Sequence, residues 1–246
     1  MMQNKVVLVT GAAGGIGSAV CNRFAREGAC IVVLYRNNMD GAQALLSELP
    51  HGDHLLVQAD VADSSAIHTA AETVREKYGK LDVLVNNAGM TRQVAHADLD
   101  ALDDDLIDAI FRTNWRGAFA CVRAFQPLLA ASGDGLIVNI SSVAGQTGLG
   151  SNVAYCASKA ALDSMTRSLA RALAPGIRVV SVAPGWVEGE YAKRMSAAVL
   201  DEQKQKTPLK KLASAEDVAE AVYAVAAHLK HTTGCIIPVD GGRPLG

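Results

Sequence analysis

The segment Lys5-Val-Val-Leu-Val-Thr10-Gly11-Ala-Ala13-Gly14-Gly15-Ile16-Gly17 runs from a short, β-branched apolar stretch directly into a glycine-rich turn. Ser18 to Glu27 then keeps a helical period through Ala19, Val20, Phe24 and Ala25. Gly28 ends it, and Cys30 to Tyr35 is a second apolar run. The result is a strand, turn, helix, strand unit. Glycines at such a turn let the chain reverse tightly and let a phosphate approach the free N–H groups of a helix N-terminus. The spacing, Thr10-Gly11-x-x-x-Gly15-x-Gly17, is not Gly-x-Gly-x-x-Gly. Nor is it a Walker loop, because no Lys-Ser/Thr pair follows the last glycine. A plain strand-to-helix turn is the bland alternative; the flanking elements favour a dinucleotide.

The same rhythm continues outward. Leu45 to Leu49 closes a second helix, Leu55 to Gln58 is a third strand leading to Asp60-Val61, and Ile67 to Tyr78 is a third helix. Leu81 to Val85 leads to Asn86-Asn87-Ala88-Gly89, and Leu136 to Ile140 leads to Ser141-Ser142. Ile177 to Val182 leads to Ala183-Pro184-Gly185, and after a helix over Ala215 to Leu229 comes the last strand, Cys235 to Val239. Strands alternating with helices predict an α/β fold with a doubly wound parallel sheet, in which ligands sit at the carboxyl ends of strands. Between these, Leu99 to Phe111 reads as a helix with an acidic cluster at its start, continuing through Asn114, Phe119, Val122 and Leu128. Carboxylates there suit the helix dipole and solvation better than a metal. Glu188 to Leu212 is polar and lysine-rich and reads as a lid over the sheet edge. No repeat or linker divides the chain, so residues 1–246 are expected to form a single domain.

Composition narrows the partners. A net charge of -2 gives no support for nucleic acid or an anionic membrane, whereas half the residues being hydrophobic allows a large core. The N-terminus shows no signal-peptide pattern, no uncharged run approaches a membrane span, and the histidines lack His-Glu-x-x-His spacing. Five cysteines without Cys-x-x-Cys spacing suit reduced thiols, so the expectation is a cytoplasmic chain with a small-molecule partner and no metal.

Asn152 to Leu173 reads as a helix with a buried face, placing Tyr155 and Lys159 one above the other. A free Tyr titrates near pKa ~10, so acid/base work near neutrality needs a shift of roughly 4 kcal/mol. One fixed positive charge at ~4 Å, with an effective dielectric of ~20, supplies about that much. The pair is therefore energetically able to exchange a proton with a substrate. Taken alone, the spacing is equally a coincidence of helix geometry.

In order along the chain, Thr10-Gly-x-x-x-Gly-Ile-Gly17, Asp60-Val61, Asn86-Asn-Ala-Gly89, Asn114, Ser142, Tyr155-x-x-x-Lys159 and Pro184-Gly185 resemble the short-chain dehydrogenase/reductase family over essentially the whole sequence. The resemblance implies a Rossmann fold with a seven-stranded parallel sheet, a nicotinamide cofactor, and a homotetramer or dimer. It implies that Tyr155 is the general acid/base and that Ser142 holds the substrate oxygen. Lys159 binds the nicotinamide ribose and assists Tyr155, and Asn114 supports a proton relay behind Lys159. It implies cofactor contacts from Gly11, Ala13, Gly14, Gly15, Ile16, Gly17, Asp60, Val61, Asn87, Ala88, Gly89, Tyr155, Lys159, Pro184, Gly185 and Val187.

At the end of the second strand, where NAD enzymes place a carboxylate, the chain reads Tyr35-Arg36-Asn37. Arg36 can pair with a 2′-phosphate, so NADP(H) is expected, with NAD the alternative. The position within the glycine turn where relatives carry a second basic residue is Gly14. Where many relatives have a Thr beyond Pro184-Gly185, this chain has Gly189. The pattern is nearest to 3-oxoacyl-(acyl carrier protein) and acetoacetyl-CoA reductases. The turns Ala130 to Gly135 and Ala172 to Gly176 are not basic, however, which favours a free carbonyl, alcohol or sugar over an acidic carrier. The substrate pocket is expected around Gln146, Asn152 and Trp186. A non-catalytic NADP-binding regulator is the reading from another class; the intact Asn114, Ser142, Tyr155 and Lys159 set argues against it.

Overall fold

A computed structural model describes residues 2–50, 52–189, 192 and 195–245. One parallel sheet of seven strands runs through it in the order β3-β2-β1-β4-β5-β6-β7. The strands are β1 (Val6–Thr10), β2 (Cys30–Tyr35), β3 (Leu55–Gln58), β4 (Val83–Asn86), β5 (Gly135–Ile140), β6 (Ile177–Pro184) and β7 (Ile236–Val239). Alternate residues of one strand serve opposite faces. Val7 and Val9 pack with Val20, Phe24 and Val222 of α1 (Gly15–Ala25) and α9 (Ala215–Ala227). Val6 and Leu8 pack with Ile67, Val74, Phe125 and Leu129 of α3 (Ser64–Tyr78) and α5 (Ala118–Ala131). Burial on both faces explains why the central strands read as unbroken apolar runs rather than alternating ones. The predicted doubly wound α/β fold is what the chain forms.

Chain order reverses between β1 and β4, and this switch point opens a crevice at their carboxyl ends. Thr10 ties it together: its hydroxyl accepts from the Asn87 and Ala88 N–H groups at 3.0 and 2.9 Å. The helices α2 (Met39–Glu48), α6 (Ala144–Thr147), α7 (Val153–Leu173) and α8 (Ala197–Gln205) complete the set used below. No helix among the described residues is long and apolar enough to cross a membrane.

The helix expected from Leu99 starts later, as α4 (Asp104–Phe111). Asp103 caps it by accepting from Leu106 N at 2.7 Å, and Asp98 accepts from Ala101 N at 3.2 Å, so Asp98 to Leu102 form a turn instead. Between α4 and α5, Arg112–Gly117 widen into a π-turn. Of the expected lid over 188–212, residues 190, 191, 193 and 194 lie outside the described residues; α8 occupies part of the remainder and buries none of its residues fully.

At the opposite edge from the crevice, the Asp82 carboxylate is almost wholly buried and accepts from Lys5 Nζ (2.7 Å), Val6 N (2.9 Å) and Lys80 Nζ (2.9 Å). Burial alone pushes its pKa up, but these bonds outweigh it and hold the group below the ordinary aspartate range. Asp82→Ala strands the Val6 N–H and is expected to cost about 2–4 kcal/mol of stability, read by urea denaturation at neutral pH. Because the folded pKa is depressed, the carboxylate's contribution is complete above the unfolded value and fades as pH falls through the folded one. The two denaturation curves therefore converge in acid.

Candidate active site

Helix α1 begins at Gly15, and its N-cap, Gly14, offers no side chain to satisfy the first-turn N–H groups. Gly11 takes a left-handed φ of 62°, and a Cβ there would lie 3.1 Å from Ala88 Cα. Gly17 is closed in further: a Cβ would fall 2.5 Å from Gly11 O and 2.8 Å from Asn87 Nδ2. Gly15 has open space before it. The two outer glycines thus serve close packing and the inner pair leaves a cradle of N–H groups facing a cavity of about 1040 Å³.

That cavity collects most of the expected residues. Gly11, Gly14, Gly15, Ile16, Arg36, Asp60, Val61, Asn87, Ala88 and Gly89 line one part; Ser142, Tyr155, Lys159, Pro184, Gly185 and Val187 line the other. Ala13 and Gly17 are not lining residues; Ala13 packs against the core. Arg36, at the end of β2, is largely exposed and holds Nη1 3.9 Å from Asp60 Oδ2. A cation therefore stands where the strand-to-helix turns would meet the adenosine end of a dinucleotide.

Lys159 is buried, donates from Nζ to Ile140 O at 2.8 Å, and lies with Nζ 5.7 Å from the Tyr155 ring centroid. Burial pulls its pKa down to about 8, against the opposing charge of Asp163. Ser142, just beyond the end of β5, donates weakly to Pro184 O at 3.4 Å and accepts from Ala144 N at 3.2 Å. Helix α6 presses the Ser142 segment onto α7 so closely that a Cβ on Gly145 would lie 2.8 Å from Ala160 N. A hydroxyl, a phenol and an ammonium thus share one cavity, a set able to hold a carbonyl oxygen and pass it a proton.

Asn114 does not line the cavity. The π-turn directs it inward, where Nδ2 donates to Met90 O (3.0 Å) and Ser158 Oγ (3.1 Å) and Oδ1 accepts from Met90 N (2.8 Å). Its Oδ1 and Lys159 Nζ lie 3.4 and 3.7 Å from the place a Gly89 Cβ would occupy, which keeps that position free of a side chain. Of the residues expected around the substrate, Trp186 lines the cavity, whereas Gln146 and Asn152 do not. Asn152 is buried as the N-cap of α7, accepting from Tyr155 N at 2.7 Å and donating to Arg92 O at 2.7 Å. Its place before an apolar helix was the signal for this role. Met90, Thr91, Gln93 and His96, in the loop after β4, line the cavity and carried no signal in the sequence.

The cavity fits a nicotinamide dinucleotide: an N–H cradle without side chains, a cation at one end and proton-transfer groups at the other. Among the described residues no cluster of three metal-ligating side chains occurs.

Comparison with known proteins shows which family shares this fold. The profile of a family described as Enoyl-(Acyl carrier protein) reductase matches residues 11–243. Ketoacyl reductase 2, as it is named, of the granaticin polyketide synthase of Streptomyces violaceoruber is 39% identical over 242 residues, covering 98% of this chain and 96% of that one. A 3-oxoacyl-[acyl-carrier-protein] reductase of Staphylococcus aureus is 35% identical over 247 residues, covering 98% and 99%. The crystal structure of a chain described as a short-chain dehydrogenase/reductase from Burkholderia xenovorans superposes with a TM-score of 0.94 at 33% identity, covering 100% of both chains.

Proposed function

The chain belongs to the short-chain dehydrogenase/reductase family, oxidoreductases of carbonyl and alcohol groups, and from that premise we propose that it is a carbonyl reductase that favours NADPH and uses Tyr155 as general acid/base. The observation that carries the reading is the Lys159 ammonium, fixed on Ile140 O beside the Tyr155 ring and opening into the same cavity as Ser142.

When bound, the nicotinamide supplies the hydride. The protein's part is to hold the substrate oxygen and give it a proton. Ser142 releases its weak bond to Pro184 O and donates to the carbonyl oxygen; Tyr155 transfers its phenolic proton to that oxygen as negative charge develops. Lys159 stabilises the phenolate left behind, and Asn114 fixes the backbone of Met90 beside it, behind the relay. Arg36, steadied by Asp60, meets the 2′-phosphate. Residues 188–212 serve as the lid of a single domain, with Lys206 and Gln203 lining the cavity.

A β-ketoacyl thioester is the second reading of the substrate, favoured by the names of the relatives. The turns at Ala130 to Gly135 and Ala172 to Gly176 carry no basic residue to draw in an acidic carrier, and this keeps a free carbonyl first. Free thiols at all five cysteines fit a reducing cytoplasm. The assembly is a homotetramer or dimer, and the half-exposed stacked pair Trp115 and Phe119, 6.1 Å between centroids, offers a face that a second copy would cover.

The test is turnover of acetoacetyl-CoA against a panel of ketones, aldehydes and polyols with each cofactor. NADPH-dependent reduction of a panel carbonyl is the expected result. Tight NADPH binding with no compound turned over would replace the reductase reading by that of a binding regulator.

A further inference from the structure

The mechanism leaves one buried acid unused. Asp163, on α7 one turn after Lys159, is 2% exposed, and neither of its carboxyl oxygens has a hydrogen-bond partner. Around it the polar groups are joined in a chain, in which Asn86 Oδ1 alone has no partner. Asn86 Nδ2 donates to Asn139 Oδ1 (2.9 Å), Asn139 Nδ2 to Thr166 Oγ1 (2.8 Å), and Thr166 shares a bond with Ser181 Oγ (2.8 Å). The Ser141 hydroxyl leans on Lys159 O at 3.4 Å. Ser141 and Ser181 face the Asp163 carboxyl without forming a well-made bond to it. An amide or an apolar side chain at such a place would be cheaper than an open carboxyl, which argues that the charge itself is used.

Its electrical surroundings are simple. Lys159 and Arg167, on the same helix, are the cations that act on it, and Arg167 is at the surface. From β5 and β6 it meets hydroxyls; Arg178, at the start of β6, is engaged with Val225 O, Leu229 O and Thr232 O instead. Helix α6 has no titratable side chain, and Asp104, Asp105 and Asp108 of α4, Arg112 and Arg116 of the π-turn, and Arg123 of α5 are exposed. Lys159 is thus the only buried cation near it among the described residues. Burial raises the carboxyl's pKa, and the same burial lowers that of Lys159, so each group's charged form leans on the other's.

We propose that Asp163 is a positioning residue that acts through Lys159, as the internal counter-charge that keeps Lys159 an ammonium while Tyr155 exchanges its proton with substrate; this rests on the catalytic reading given above. Removing the negative charge leaves Lys159 easier to deprotonate, so function is lost at a lower pH.

The experiment follows kcat/KM for the panel carbonyl against pH, and in parallel NADPH binding by fluorescence over the same range, which needs no turnover. The wild-type alkaline limb is expected near the Lys159 value of about 8. Asp163→Asn and Asp163→Leu should both move the limb acidward by about one pH unit, and Asp163→Glu should leave it near the wild-type position. The leucine variant covers the case in which the amide fails to fold, since an apolar side chain suits the space between helix and sheet. Limbs that superpose on the wild type, even with reduced amplitude, would overturn the proposal. Tyr155→Phe separates the two claims: inactive Tyr155→Phe with superposed Asp163 limbs removes the counter-charge alone, whereas active Tyr155→Phe removes the catalytic reading on which it stands.

Discussion

Tyr155→Phe is expected to lower kcat by about 10³-fold or more while changing NADPH affinity by less than about threefold. The substitution deletes the phenolic oxygen to which the proposed mechanism assigns the proton and keeps the ring, so the Lys159 cation retains its neighbour at 5.7 Å and its bond to Ile140 O. Burial of Lys159 is unaltered, and the N-cap bond from Tyr155 N to Asn152 involves only backbone on the Tyr155 side. The loss should therefore appear in kcat and kcat/KM together, as for a group that acts in the transition state alone. Steady-state rates with cofactor binding measured by fluorescence check it. Turnover within a few-fold of wild type would take the proton-donor role away from Tyr155.

Arg36→Glu is expected to raise KM for NADPH by roughly 10²-fold and to lower that for NADH, reversing the preference. The loss combines a charge-assisted bond of about 1.5–3 kcal/mol with repulsion of order 1 kcal/mol between carboxylate and phosphate in a largely exposed setting. Asp60 enlarges the effect. In the wild type its carboxylate sits 3.9 Å from the guanidinium and is offset by it; in the variant the two acids face the 2′-phosphate together. A carboxylate at the end of β2 is also able to accept from a ribose 2′-hydroxyl, which is the source of the gain with NADH. An unaltered ratio of the two KM values would show that Arg36 is an ordinary surface charge.

The sheet and α7 were legible because their signals are local. β1 and β2 are buried on both faces and so read as continuous apolar runs, and α7 declares itself by its period and by Asn152 before it. The beginning of α4 was not legible. Leu99 and Leu102 carry apolar side chains at helical spacing, but Asp103 turns its carboxylate onto Leu106 N, and a cap of this kind decides the boundary where periodicity does not. Met90, Thr91, Gln93 and His96 reach the cavity because the loop after β4 is tied to Asn114 and Asn152, residues far from it in sequence. Asp163 was hidden for the same reason: its isolation depends on β5 and β6, and a helix pattern records only that a polar residue interrupts an apolar face.

The π-turn at Arg112–Gly117 has a further effect on the whole helical rod from α4 to α5. An extra residue in one turn advances everything after it by about 100° relative to an unbroken α-helix. Leu106 and Ile110 of α4 therefore point at Ala154 and the start of α7, while Cys121, Phe125 and Leu129 of α5 point at the sheet and α3. One rod serves two differently oriented cores, and Asn114 lies at the joint between them. Deleting a single residue within this turn would put the two halves out of phase, so that seating either one would swing the other's apolar stripe into water.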